Sequence, residues 1–268
     1  MYTFHSRVRY SEATKDQILD LYAILNYFQD CSNFQSADLG VGVQYLTEKK
    51  KAWLLSAWQV ELVRPPHLFE PITIGTWPHD FKGIYGYRNF ILYNEARGHE
   101  VAAYANSIWF LIDTDTGKPL RIMPEDAAPY PLEPAYPMEY MPRKITLPKI
   151  PQPLPIQTRT RDIFSQPDSS PYAEINFAPI TVTKIFLDTN NHVNNSQYVR
   201  LAQACLPETF RIRRMRAEYR RAAVLEDIIY PKIQLSANAQ CCYVSLNDKD
   251  EMSYAVVEFI AANYSQQK

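Results

Sequence analysis

Asp188, Asn190 and His192 occupy alternate positions in the run Asp188-Thr-Asn-Asn-His-Val-Asn-Asn195. An extended backbone would turn all three side chains to one side. A carboxylate, an amide and an imidazole together suit acyl transfer or hydrolysis, because an imidazole ordinarily titrates near neutrality and an amide can orient water or a carbonyl. Asp188 could hold the imidazole or its loop. The next residues, Ser196-Gln-Tyr-Val-Arg-Leu-Ala202, place apolar side chains near helical spacing, so the triad precedes a helix start. Asn194 or Asn195 is a natural N-cap. Backbone N–H groups around these two residues are candidate oxyanion donors, since the first turn of a helix favours developing negative charge. The competing reading is structural, because Asn and Asp also gather in turns and caps.

The triad needs a scaffold. A strand-like run, Ile180–Leu187, leads into it. Strands are predicted afterwards at Arg213–Arg220, Ile228–Ala237, Ala239–Leu246 and Met252–Ala261. The front of the chain has the same order: a strand at Tyr2–Tyr10, then a helix capped by Thr14 or Asp16, in which Ile18, Leu19, Leu21, Tyr22, Leu25, Tyr27 and Phe28 cover most of the circumference. Strands follow at Trp53–Val63, Pro71–Trp77, Tyr87–Tyr93 and Val101–Ile112. The segments Val60–Ile74 and Arg216–Tyr230 align without a gap, with Arg64 on Arg220, Glu70 on Glu226 and Ile72 on Ile228. The repeated order and this alignment indicate two copies of one unit. Thirteen of the 20 prolines lie between Pro119 and Pro171. This stretch is therefore neither a central strand nor a long helix, and reads as a spacer or a strap laid on the surface.

Composition sets the class. With 268 residues, 46% of them hydrophobic, the chain is globular and can bury a large core. A net charge of −1 gives no global reason to bind nucleic acid. No run reaches the ~18 apolar residues of a membrane span. The four cysteines have neither disulfide-scaffold density nor metal-ligand spacing with His, so no metal is expected and the compartment reads as reducing and cytoplasmic.

Several motifs together resemble the acyl-acyl-carrier-protein thioesterases of plants and bacteria. They are the Asp188–Asn195 pattern, Trp77-Pro-His-Asp-Phe-Lys-Gly…Arg88-Asn-Phe90, Asn26-Tyr-Phe-Gln-Asp30 and Glu218-Tyr-Arg-Arg221. The resemblance runs nearly end to end and is weakest in the proline segment. It implies an α+β fold of two tandem hotdog units, each a curved antiparallel sheet wrapped around a central helix. Residues 1–140 would form the first unit and hold much of the acyl-chain pocket, with Trp53, Trp58 and Tyr22 among its candidate residues. Residues 141–171 would be the proline-rich connector, and 172–268 the unit with the catalytic loop.

The implied activity is hydrolysis of fatty acyl-acyl-carrier-protein in fatty acid biosynthesis, with Asp188, Asn190 and His192 catalytic and no cofactor. The partner would be a carrier protein bearing a phosphopantetheine-linked acyl chain; a homodimer is compatible with this. One position departs from the family: where a Glu usually follows the Glu-Tyr-x-Lys/Arg pattern, this chain has Ala222, and the Cys often found next is Ala223. Glu226 and Asp227 lie past the motif and read as solvated loop residues. The base is then His192, or another carboxylate, or hydrolysis is slow. An acyl-CoA thioesterase and an acyl-binding hotdog protein with weakened catalysis are the alternatives. Arg213, Arg214, Arg216 and Arg220 near the loop are candidates for carrier docking, or else a charged sheet edge.

Overall fold

The computed structural model describes residues 1–148, 172–236 and 240–262. The chain divides into two compact units, Met1–Arg143 and Lys144–Lys268. Residues 149–171, most of the expected connector, lie outside the described residues.

Unit 1 contains β1 (Tyr2–Arg7), α1 (Leu21–Asp38), α2 (Val43–Glu48), β2 (Lys51–Leu62), β3 (Pro71–Lys82), β4 (Tyr85–Asn94), β5 (Glu100–Asp113) and the short α3 (Pro124–Ala127). Its strands run antiparallel in the order β1-β3-β4-β5-β2. Leu21, Ile24, Leu25, Phe28 and Cys31 bury the inner side of α1. The Phe28 ring lies 5.2 Å from Phe90 and 6.1 Å from Trp58. The cap of α1 is Asp20, whose Oδ1 accepts from the Tyr22 N–H, rather than the expected Thr14 or Asp16. The reason is a tight turn that consumes those residues: the Thr14 N–H donates to Ile18 O at 2.8 Å, and Gln17 has φ 59°.

The described part of the proline-rich stretch is a strap over the outer side of this sheet. Proline leaves its neighbours without regular pairing, and the sheet's own side chains supply partners instead. Trp77 Nε1 donates to Pro134 O. Gln59 Nε2 donates to Glu139 O, and Gln59 Oε1 accepts from the Met141 N–H. Fully buried Asn89 donates to Ala105 O at 3.1 Å and accepts at Oδ1 from the Tyr136 N–H and the Tyr140 hydroxyl, both at 3.0 Å.

Unit 2 contains β6 (Tyr172–Asn176), β7 (Ile180–Thr181), α4 (Asn195–Gln203), β8 (Ile212–Tyr219), β9 (Ile228–Ser236), β10 (Cys241–Asn247) and β11 (Ser253–Ala261). The order is β8-β11-β10-β9-β6, again antiparallel, with β7 also on β9. Tyr198, Val199 and Ala202 bury one face of α4, which packs on β10 and β11. Each unit thus sets one helix against an antiparallel sheet, the α+β hotdog arrangement. The predicted strand over Ile180–Leu187 is mostly absent: Ile180 and Thr181 pair with β9, Leu187 makes an isolated bridge to Val193, and Lys184–Phe186 is a 3₁₀ turn.

Replacing Asn89 with Ala should destabilise the protein by about 1–3 kcal/mol, because the Tyr136 N–H and Ala105 O lose a buried partner. Urea unfolding checks the size, and limited proteolysis should cut first between Tyr130 and Arg143.

Candidate functional site

The Asp188–Asn195 segment is a closed turn, not an extended run. The Asp188 N–H donates to His192 O at 2.8 Å, the Asn191 N–H donates to Asp188 O at 3.1 Å, and Asn191 has φ 59°. Asp188 Oδ1 accepts from the backbone N–H of Asn190 (2.8 Å) and of His192 (3.3 Å). The carboxylate therefore builds the loop that carries the imidazole, one of the two roles expected of it. Alternation of the three side chains does not hold in a turn: Asn190 is exposed, while Asp188 and His192 are half-buried.

The helix start is equally specific. Asn194 is the N-cap, with Oδ1 accepting from the Ser196 N–H (2.9 Å) and hydroxyl (2.7 Å). Its own N–H is spent on Phe186 O at 2.9 Å, so Asn194 drops out as an oxyanion donor. The N–H of Asn195, first residue of α4, has no acceptor among the described residues. The Asn195 carbonyl accepts from the Tyr219 hydroxyl at 2.9 Å, which holds this first turn against β8.

The turn that follows β8 clamps the loop. Val193 N–H donates to Ala223 O at 2.9 Å, and Ala223 N–H donates to the Tyr198 hydroxyl at 2.7 Å. Ala222, the position of the usual family Glu, is exposed and immediately precedes this clamp. Glu226 is solvated as expected. Asp227 is half-buried instead: its Oδ2 accepts from the Val224 N–H at 2.9 Å and closes the turn. Burial first, with the charges of Asp227 and Asp188 adding to it, pushes the Tyr198 hydroxyl up to about 12.

Unit 1 contains the same backbone device. Thr14 N–H donates to Ile18 O, Gln17 N–H to Thr14 O, Asp20 N–H to Glu12 O and Leu19 N–H to Pro66 O. These match the bonds of Asp188, Asn191, Asn194 and Val193 one for one, with Gln17 and Asn191 both at φ 59°. The carboxylate of Glu70 accepts from the His67 N–H as that of Asp227 does from Val224. The side chains differ: Thr14, Asp16 and Ile18 stand where unit 2 has Asp188, Asn190 and His192, and Pro65 stands for Ala222.

Residues 1–130 match the family model of the acyl-ACP thioesterase N-terminal domain. Over these 130 residues the chain is similar to the N-terminal domain of that family. Oleoyl-acyl carrier protein thioesterase 1 of Arabidopsis thaliana, a chloroplastic protein, is 25% identical over 238 residues, covering 83% of this chain and 60% of that protein. The chain thus spans about 60% of the length of the curated relatives it matches. Solved structures share the fold. An acyl-ACP thioesterase from Bacteroides thetaiotaomicron has TM-score 0.74 and 19% identity, with 97% of each chain covered. The 12:0-ACP thioesterase from Umbellularia californica has TM-score 0.73 and 16% identity, covering 97% of this chain and 96% of that one.

The arginine run does not form one surface. Successive β8 residues point to opposite sides, so exposed Arg213 and half-buried Arg214 face different ways, and Met215, on the same face as Arg213, is in the core. Arg216 is buried and paired with Glu258 at 2.9 Å, which removes it from the docking set. Arg220 bonds to Glu218 Oε2 and Ile145 O. Arg213 lies six residues along β8 from Tyr219, roughly 20 Å of strand. Among the described residues no group of His, Cys, Asp and Glu could hold a metal, and no helix is long and apolar enough to cross a membrane.

Sequence reasoning missed Tyr198, Tyr219 and the Ala223 carbonyl. A tyrosine on the helix face that meets a partner strand was the available signal for the first.

Tyr198 yields a pH test. Its folded-state pKa is raised from 10.0 to about 12. The stability this adds is intact below about pH 10 and is lost as pH rises through about 12. Over that window Tyr198 accounts for about 2–3 kcal/mol. Tyr198→Phe should be less stable than wild type at pH 7, since the Ala223 N–H loses its acceptor, yet lose less between pH 10 and pH 12. Denaturant unfolding across that range measures both.

Proposed function

We propose that the chain hydrolyses the thioester of fatty acyl-acyl-carrier-protein and releases the free fatty acid. The observation that most supports this is the contrast between the two copies of one turn. The backbone is the same, but only the second copy carries an amide and an imidazole, with its carboxylate at the first of the three positions, where unit 1 has Thr14. The turn forms without an amide or an imidazole, as Thr14, Asp16 and Ile18 demonstrate.

In the proposed reaction the thioester oxygen lies at the Asn195 N–H, where the helix dipole also favours negative charge. Water attacks the carbonyl carbon and His192 takes its proton. The C–S bond breaks with its electron pair on sulfur, and His192 returns the proton there, freeing the carrier thiol. Asp188 holds the loop, and exposed Asn190 orients water or the carbonyl. No cofactor takes part. Unit 1 would receive the acyl chain, with Trp53, half-buried against Phe81, as one wall. Under this reading the enzyme serves fatty acid biosynthesis in a reducing, cytoplasmic compartment, as a monomer or a homodimer.

The test is fatty acid release from carrier-linked substrates across chain lengths, with CoA-linked forms alongside. His192→Ala should lower kcat by at least ~10²-fold. A wild type as slow as His192→Ala would make the protein an acyl binder, the reading that Ala222 favours. Because Ala222 is exposed, Ala222→Glu adds a carboxylate without a burial penalty and should raise kcat with little change in KM. An unchanged kcat would mean that proton transfer from water is already served. Trp53→Ala should move the chain-length profile toward longer acids; an unaltered profile argues that the chain lies elsewhere.

A further inference from the structure

Two tyrosine hydroxyls bond to the backbone around the Asp188–Asn195 loop, and the corresponding place in unit 1 has neither. The Tyr219 hydroxyl donates to Asn195 O at 2.9 Å, and the Tyr198 hydroxyl accepts from the Ala223 N–H at 2.7 Å. Matching backbone bonds identify the counterparts. Leu19 N–H on Pro66 O corresponds to Val193 N–H on Ala223 O, and Asp20 corresponds to Asn194. The Val63 and Arg64 N–H groups both donate to Ala102 O, as those of Arg220 and Arg221 both donate to Tyr254 O. Leu62, the last residue of β2, thus stands for Tyr219, the last residue of β8, and Leu21 stands for Asn195. In the same register Ile24 stands for Tyr198.

The two hydroxyls do different work. Tyr198 satisfies an amide. Pro66 has no N–H, so Ile24 leaves nothing unpaired in unit 1, whereas Ala223 has one and needs an acceptor. Tyr219 satisfies no orphan group. Asn195 is the first residue of α4, and a carbonyl there has the N–H four residues on as its helical partner. Unit 1 starts α1 at Leu21 with Leu62 in place of the tyrosine, so a helix start of this kind forms without the hydroxyl. What Tyr219 adds is position. Asn195 lies between two anchors: Asn194 Oδ1 accepts from the next amide, Ser196 N–H, and Tyr219 donates to the Asn195 carbonyl. The N–H between them has no acceptor among the described residues. Burial raises the Tyr219 hydroxyl well above its ordinary 10.0. It therefore keeps its proton and donates throughout the range in which an imidazole titrates.

We propose that Tyr219 is a positioning residue for hydrolysis: its hydroxyl fixes the first turn of α4 so that the Asn195 N–H meets the charge developing on the thioester oxygen. The inference rests on the hydrolase reading. Tyr219 acts through Asn195 and touches no reacting atom. A donor stabilises transition-state charge best when its direction is set before the reaction. Helix ends fray, and the bond from β8 holds this one. His192 is held separately, by the Asp188 carboxylate and the Val193–Ala223 bond. Loss of the Tyr219 hydroxyl therefore loosens the oxyanion donor and leaves the imidazole in place.

The test compares wild type, Tyr219→Phe and Tyr140→Phe on one carrier-linked acyl chain. Tyr219→Phe removes only the hydroxyl and should fold; thermal unfolding verifies it. Tyr140→Phe is the control for a lost bond of the same kind, since the Tyr140 hydroxyl donates to Tyr136 O within the strap. Tyr219→Phe should lower kcat about tenfold or more, because a misplaced catalytic group is costly, and leave KM unchanged. Its affinity for an alkyl phosphonate that mimics the tetrahedral oxyanion should fall by the same factor, while affinity for the uncharged amide analogue of the substrate stays the same. The pH midpoint of kcat/KM, set by His192, should not move. Tyr140→Phe should leave kcat and KM as in wild type. An unaltered kcat in Tyr219→Phe overturns the proposal. So does a fall in kcat that matches a fall in folded fraction, or one accompanied by equal losses of phosphonate and amide affinity; either would make Tyr219 a purely structural residue. A wild type without hydrolysis overturns the activity reading and this role with it. A wild type that hydrolyses, beside an equally active Tyr219→Phe, overturns the role alone.

Discussion

One backbone hydrogen bond organises the Asp188–Asn195 end of unit 2. Val193 N–H, on the residue after His192, donates to Ala223 O in the turn beyond β8. Through it the loop, the start of α4 and the turn hold one geometry. The Tyr198 hydroxyl accepts from the next N–H of that turn, and Tyr219 holds the Asn195 carbonyl. Remove the bond and the imidazole, the free helix amide and position 222 are no longer held together. Because backbone groups make the contact, the side chains around it are free to vary. Unit 1 exploits that freedom: Leu19 and Pro66 make the same bond around Thr14, Asp16 and Ile18.

The two units also differ in how they bury charge. Arg216 lies beside Glu258 on the adjacent strand, and the pair is buried together. Such a pair is costly to break from one side, since the remaining charge would be unpaired. Arg88 in unit 1 has neutral partners, Gln35 Oε1 and Thr76 Oγ1, and the Tyr130 ring 5.5 Å away. Burial accordingly pulls its pKa down, to about 10. The strap supplies Tyr130, and it also answers the polar side chains Asn89 and Gln59 on the outer side of the sheet. A proline-rich segment suits that work: its carbonyls stay available, and its restricted φ lowers the entropy lost on docking.

Much of this was legible in the chain. Strand alternation and the match of Val60–Ile74 with Arg216–Tyr230 identified the repeat, and both segments do run from one strand through a turn into the next, β2 to β3 and β8 to β9, but the turns correspond one residue off the gapless register, Pro66 to Ala223 and Glu70 to Asp227. The motif residues Asp188, Asn190 and His192 do share one loop. The helix boundary at Leu21, the truncated strand after Ile180 and the burial of Arg216 were not legible. Each depends on a partner distant in sequence: Pro66 O for Leu19, Asp227 for Val182, Glu258 for Arg216.

The sequence by itself determined residue chemistry and local period: an acid, an amide and an imidazole before a helix, in the second of two similar halves, with Ala222 in place of a carboxylate. Tertiary structure alone decided which of those groups is already committed. Asp188 is bound to its own loop, the Asn194 amide is taken by Phe186, and the Asn195 amide has no acceptor among the described residues. The reason is that a hydrogen-bonding group satisfied inside the fold is no longer available to a substrate. Its partner is fixed by how distant segments pair, and no local pattern encodes that pairing.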